Sequence, residues 1–241
     1  MTPGNGQGMA VIVTGAGGLL GRAVTSALAE VGYQVVPVDR IGGQTQNDIE
    51  IRVCDVADQQ EVEGLVEDVT SQGYELYGLV NAAALIPTAG LHEVDAQEFA
   101  AVMNVNAWGS FNMARVVSRA MAQSGKGRIV NIASVAAYAG GLVGGPHYAA
   151  SKAALIVLSK ILAKELAVDG ITVNAIAPGA LESPATSGLS EEVRAGLISR
   201  IPKGRLGTMA EIANAVVFLL SPAADYMTGA TLDINGGVYL R

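Results

Sequence analysis

The chain has 241 residues, half of them hydrophobic but only 5% aromatic, with a formal net charge of −7 and a pI near 4.8. An acidic balance with no basic stretch argues against nucleic acid as a partner. No uninterrupted apolar run reaches the length of a membrane span. One large cytoplasmic domain with a core of Ala, Val, Ile and Leu is the expectation.

In chain order, residues 1–9 are Gly-rich and polar and read as a flexible tail, without the charged and apolar regions of a signal peptide. Residues 10–241 then make a single domain. Short apolar runs predict seven strands, at Ala10–Val13, Gln34–Val38, Ile51–Val53, Leu76–Val80, Arg128–Ile132, Thr172–Ile176 and Thr231–Ile234. Helical periodicity fills the intervals at Arg22–Val31, Asp58–Ser71, Ala96–Gln123 and Tyr148–Val168. This alternation predicts the α/β class: a single doubly wound Rossmann-type domain, its seven-stranded parallel sheet covered by helices on both faces. The interval Pro178–Ala210, rich in Gly, Pro and Ser, contains the one candidate substrate lid, at about 180–210.

Between the first strand and the first helix lies Thr14-Gly15-Ala16-Gly17-Gly18-Leu19-Leu20-Gly21. Glycines at 15, 18 and 21 let the backbone turn sharply, approach a pyrophosphate and pack the helix on the sheet. The same loop could be an ordinary tight strand-to-helix turn. Asp39, at the end of the second strand, can accept hydrogen bonds from an adenosine ribose diol and would repel a 2′-phosphate, so NAD(H) is favoured. Arg40 beside it keeps NADP(H) open.

Tyr148 and Lys152, four residues apart, share one face of a helix. A free phenol titrates near pKa ~10 and must fall by roughly 3 units to act as acid and base near neutrality. An ammonium ~4 Å away supplies about 4 kcal/mol at an effective dielectric of ~20, so Lys152 is expected to be the main cause of such a shift. The alternative is an ordinary amphipathic pair. Cys54 reads as a small buried hydrophobe, His147 as a pocket-lining or surface residue, His92 as a loop residue and Trp108 as packing. Two histidines and one cysteine so placed give no metal-ligand spacing.

With the Gly loop, the acidic strand end and Tyr148-Ala-Ala-Ser151-Lys152 in this order, the chain resembles the short-chain dehydrogenase/reductase family from Ala10 to Tyr239. Further matches are Asp55-Val56, Asn81-Ala82-Ala83, Asn106 ahead of Gly109, Asn131-Ile132-Ala133-Ser134, Pro178-Gly179, Ile201-Pro202-Lys203-Gly204-Arg205 and Asp233-Ile234-Asn235-Gly236-Gly237. The resemblance implies that Ser134 polarises a substrate carbonyl and that Tyr148 exchanges the proton. It implies that Lys152 binds the nicotinamide ribose and lowers the Tyr148 pKa, while Asn106 orders a water relay to Lys152. Gly15, Gly18, Leu19, Leu20 and Gly21 would hold the pyrophosphate. Asp55 and Val56 would flank adenine, Asn81, Ala82 and Ala83 would follow the adenosine ribose, and Pro178, Gly179, Leu181 and Ser183 would frame the nicotinamide. The chain departs from the usual pattern at Leu19 (usually Gly), at Asn81-Ala82-Ala83-Ala84 (usually Asn-Asn-Ala-Gly) and at Ser183 (often Thr). From the residues themselves, Asp55 could instead cap the following helix and Asn106 could satisfy local backbone groups.

The expected activity is an NAD(H)-dependent hydride transfer between a secondary alcohol and its ketone. One alternative is an NADPH-dependent 3-oxoacyl-carrier-protein reductase, for whose acidic partner Lys126, Arg128 and Arg205 are the scattered basic candidates. The other is a non-catalytic dinucleotide-binding scaffold or sensor. Leu85, Ile86, Ala136, Tyr138, Leu142 and Leu189–Leu197 suggest a mostly apolar small-molecule pocket. The helix Ala149–Leu166 is apolar on more than one face, which points to a homo-oligomer, a dimer or tetramer.

Overall fold

The computed structural model describes residues 8–140 and 144–240. Eight strands form one sheet: β1 (Met9–Thr14), β2 (Gln34–Asp39), β3 (Gly43–Gln44), β4 (Glu50–Val53), β5 (Glu75–Asn81), β6 (Gly127–Ile132), β7 (Ile171–Pro178) and β8 (Thr231–Ile234). Their spatial order is β3-β4-β2-β1-β5-β6-β7-β8, and every pairing except β3–β4 is parallel. Chain direction across the sheet reverses between β1 and β5, which opens a crevice at the carboxyl ends of those strands.

The helices are α1 (Leu19–Glu30), α2 (Gln59–Ser71), α3 (Ala96–Met103), α4 (Ser110–Ser124), α5 (Ala136–Ala139), α6 (Pro146–Leu166), α7 (Pro184–Ser187), α8 (Glu191–Ser199) and α9 (Met209–Leu220). Side chains alternate across each strand, so β1 sends Ala10 and Ile12 to one face and Val11 and Val13 to the other. The first face is closed by α2, α4 and α6 through Val62, Leu65, Met113, Val117 and Leu162. The second is closed by α1 and α9 through Val24, Leu28, Ile212, Val216 and Leu220. Both faces of the central strands are therefore buried, which is why they read as continuous apolar runs.

Helix starts follow local chemistry. Asp58 caps α2 by accepting from Gln60 N and Glu61 N, Asp95 caps α3 through Glu98 N, and Thr208 with Glu211 forms a capping box on α9. Three features differ from the expectations. The sheet has an eighth strand, β3, made by a tight return in which Thr45 N donates to Ile49 O and Asp48 adopts φ 56°. The long helix expected over Ala96–Gln123 is interrupted by a π turn at Asn104–Gly109. Helices α1 and α6 begin two or three residues earlier than the periodicity indicated, behind extended Gly18 and Gly145. No described helix is long and apolar enough to cross a membrane.

Candidate active site

At the sheet's reversal point the Thr14 hydroxyl accepts from Ala82 N at 3.1 Å and Ala83 N at 3.2 Å, tying the end of β1 to the end of β5. Gly15 follows with φ +69°, and a Cβ there would sit 2.7 Å from Ala83 N. A Cβ on Gly21 would run into the Gly15 carbonyl oxygen, so helix and loop meet in a contact that only glycine allows. Gly18 ends the loop in extended conformation with no side-chain cap on α1. No side chain of Gly18 competes for the first-turn N–H groups, an arrangement compatible with a phosphate at the helix start.

Asp39 ends β2 facing this loop. One carboxylate oxygen accepts from Gly17 N at 2.9 Å and the other from Ile41 N at 3.3 Å. A fixed negative charge therefore stands where the cleft meets the second strand, while Arg40 is exposed.

At the other end of the cleft, Ser134 lies just past β6 and Tyr148 in the first turns of α6. The Ser134 hydroxyl accepts from Ala136 N at 3.1 Å and lines the same cleft as the phenol. A Cβ on Gly144 would overlap the Tyr148 ring, so the chain before α6 can cross the ring only as glycine. Burial pushes the phenol above its ordinary pKa of 10.0, and the Ser134 hydroxyl works against that rise. Lys152 does not act as expected here. Its Nζ donates to Ile132 O at 2.7 Å and lies 5.8 Å from the centre of the Tyr148 ring. The ammonium is aimed at the strand end, and burial lowers its own pKa to about 8.

One cleft of about 670 Å³ joins the two ends. Gly15, Gly18, Leu19, Leu20, Gly21, Asp39, Arg40, Asp55, Val56, Ala82, Ala83, Ser134, Tyr148, Lys152, Pro178, Gly179, Leu181 and Ser183 all line it. Asn81 and Asn106 do not. The Asn81 amide, buried, donates to Asn131 Oδ1 at 2.8 Å and Ser110 O at 3.1 Å, bridging β5 to β6 and α4. Its side chain is a core crosslink.

Asn106, at the heart of the π turn, holds the backbone of Leu85 from both sides, accepting from its N–H at 2.8 Å and donating to its carbonyl at 2.9 Å. It also donates to Ser151 Oγ at 2.9 Å. Its side chain thus ties the backbone of Leu85 to the Ser151 hydroxyl one residue before Lys152. Ser183 lines the cleft but also caps α7 by accepting from Thr186 N at 3.2 Å. The cap of α2 is Asp58, and Asp55 accepts from Ala57 N at 2.9 Å.

His147 is fully buried beneath α3, stacked on Phe99 with its Nε2 3.4 Å from Glu98, and it does not reach the cleft. His92 is an exposed loop residue. Cys54 is buried beside the cleft, its thiol pushed up to about 12 by that burial. Of the apolar residues expected around the substrate, Leu85, Ile86, Ala136 and Leu197 line the cleft, Tyr138 does not, and Leu142 lies outside the described residues. The sequence reading missed Thr14, Gly17 and Gly144. The Thr14 hydroxyl closing β1 was visible in the chain, but Gly144 acts only through its approach to the Tyr148 ring.

The residues present fit a nicotinamide dinucleotide. One cleft is lined by a loop that excludes Cβ atoms, a diol-compatible carboxylate on Asp39, and the hydroxyls of Ser134 and Tyr148.

Comparison with known proteins agrees. A family described as enoyl-(acyl carrier protein) reductase matches residues 15–239. The 3-oxoacyl-(acyl-carrier-protein) reductase of Escherichia coli K12 is 38% identical over 243 residues, covering 98% of this chain and 99% of that protein. The reductase of the same name from Staphylococcus aureus Mu50 is 37% identical over 244 residues, covering 95% and 97%. That of Vibrio cholerae is 35% identical over 243 residues, covering 98% and 99%. Fold, motif order and these full-length matches place the chain in the short-chain dehydrogenase/reductase family.

Proposed function

We propose that this chain interconverts a ketone and a secondary alcohol using NAD(H), with Ser134 and Tyr148 acting on the substrate oxygen. The observation that carries this reading is that Ser134 and Tyr148 line one cleft with the glycine loop, the Ser134 hydroxyl being near enough to oppose the rise in the phenol's pKa. Two hydroxyls converging on one point suit a carbonyl oxygen, which accepts from both as its negative charge grows. When bound, the nicotinamide supplies or receives the hydride. Tyr148, held as a neutral phenol by burial, donates the proton in reduction. Lys152 places a buried positive charge beneath that site. Asn106 and Ser151 fix Leu85, a wall of the substrate end.

Asp39 supports NAD(H) over NADP(H), because a 2′-phosphate would have to share space with a carboxylate already fixed by two backbone N–H groups. The exposed Val157 and Ile161 on α6, with Trp108 beside α4, support self-association.

The names of the relatives favour one ketone class, a 3-oxoacyl group delivered by a carrier protein. The apolar wall of Leu85, Ile86, Ala185, Leu197 and Met209 suits an acyl chain. The basic candidates do not advance the carrier itself. Lys126 pairs with Glu75 and Arg128 with Asp225 at the start of β6, the end of the sheet away from the cleft, and Arg205 pairs with Glu211. The test is NADH oxidation with a 3-oxoacyl thioester, free and carrier-linked, beside simple ketones. Turnover of the ketones supports the reading, and a large preference for the carrier-linked form supports the carrier. NADH binding without turnover of any ketone would leave the scaffold or sensor reading.

A further inference from the structure

The last turn of the chain is joined to the wall of the cleft that carries Ser134. Tyr239, half-buried, stacks on Tyr138 with ring centroids 5.0 Å apart and planes within 11°. Tyr138 belongs to α5, the short helix that starts two residues after Ser134 and whose Ala136 N–H donates to the Ser134 hydroxyl. Val135 N also donates to Pro178 O at 2.9 Å, so this segment is pinned to the end of β7.

The other end of the connection is Asn235. Its side-chain amide donates to Tyr239 O at 2.9 Å, and its side-chain oxygen accepts from Gly237 N at 2.8 Å, folding residues 235–239 back on themselves. Gly236 and Gly237, with φ +66° and +87°, permit that return. The Asn235 backbone lies against Gly179, where a Cβ would come within 2.8 Å of the Asn235 Cα, and Gly179 N donates to Ile234 O at 3.0 Å. One five-residue hook therefore touches both walls of the cleft: Pro178-Gly179 through Asn235, and α5 through Tyr239.

We infer that Tyr239 is a positioning residue for ketone reduction: its ring holds α5 so that the Ser134 hydroxyl keeps its aim at the substrate oxygen. The inference rests on the ketoreductase reading for its activity readout, but not for its structural one. Tyr138 and Tyr239 are both absent from the cleft lining, so the ring acts through α5 and not by touching substrate.

The chemical content of the contact is the flat ring. An aromatic pair is worth about 0.5–1.5 kcal/mol beyond its buried area, a factor of about two to ten in a population. Tyr239→Ala is expected to lower kcat for a ketone by about three- to tenfold while the NADH dissociation constant stays within about twofold. Tyr239→Phe, which keeps the ring, is expected to restore kcat. In parallel, amide exchange in residues 134–139 of the full chain should accelerate in Tyr239→Ala and return to normal in Tyr239→Phe, with β1 unchanged. Unchanged kcat in the alanine variant would overturn the inference, as would a phenylalanine variant as impaired as alanine, or an NADH affinity that falls in step with kcat. If the unaltered protein reduces no ketone, it is the ketoreductase reading that fails. The exchange data then decide separately, because unchanged exchange at 134–139 would remove the link itself.

Discussion

The Asp39 carboxylate accepts a hydrogen bond from the Gly17 backbone N–H at 2.9 Å, joining the end of the second strand to the glycine loop. That bond fixes a negative charge at one end of the cleft and holds the loop through a residue with no side chain. A Cβ on Gly17 would lie 3.1 Å from the same oxygen, so a side chain there would make the carboxylate shift by a few tenths of an ångström.

Replacing that charge should change which dinucleotide binds. Asp39→Ala is expected to tighten NADPH by at least about tenfold and to weaken NADH, since a like-charge contact costs several kcal/mol. Fluorescence titration with both cofactors checks this. A variant that still prefers NADH by the same margin would clear Asp39 of the role.

Gly21→Ala should damage both fold and cofactor site. Its methyl would meet the Gly15 carbonyl, and overpacking of this kind costs about 1–3 kcal/mol. A lower urea midpoint together with loss of NADH binding is the expected pair of results.

Asn81→Ala should separate the two. The change removes the donor to Asn131 Oδ1 and to Ser110 O, leaving buried acceptors at a cost of about 1–3 kcal/mol. Stability should fall by that order while NADH affinity stays within about twofold. A selective loss of NADH affinity at unchanged stability would instead support the ribose role that the motif implies.

The contrast between these residues shows what the chain made legible. The central parallel strands were readable because burial on both faces makes them continuous apolar runs, whereas β4 and β8 showed only short mixed ones. Strand β3 was not, because two exposed residues, Gly43 and Gln44, have neither period nor hydrophobicity. The π turn at Asn104–Gly109 escaped because the apolar pattern runs on through Val105 and Trp108, while the insertion is a matter of backbone bonding. Tyr148, Lys152 and Ser134 were legible by spacing, but the direction of the Lys152 ammonium was not. Spacing of four puts two residues on one face without saying which acceptor a flexible chain will choose, and here Ile132 O wins.

Lys152 gives a pH signature to the unliganded protein. Burial lowers its pKa from 10.5 to about 8, so between those values the unfolded chain holds a proton that the folded chain has released. Stability contributed by this group therefore rises as pH climbs through that window and is lowest below it. Relative to Lys152→Met, the unaltered chain should gain on the order of 3 kcal/mol between about pH 7 and about pH 10.5. Urea unfolding of both proteins across that range measures the difference, and parallel curves would contradict it.

The most direct test of the account is steady-state ketone reduction by Tyr148→Phe, with NADH binding measured on the same preparation. Loss of turnover by at least about a hundredfold, the lower bound for removing a positioned acid, with NADH affinity within about twofold, is the predicted result. Turnover close to that of the unaltered protein would show that the Tyr148 phenol is not the proton donor and would contradict the assignment of this cleft's chemistry.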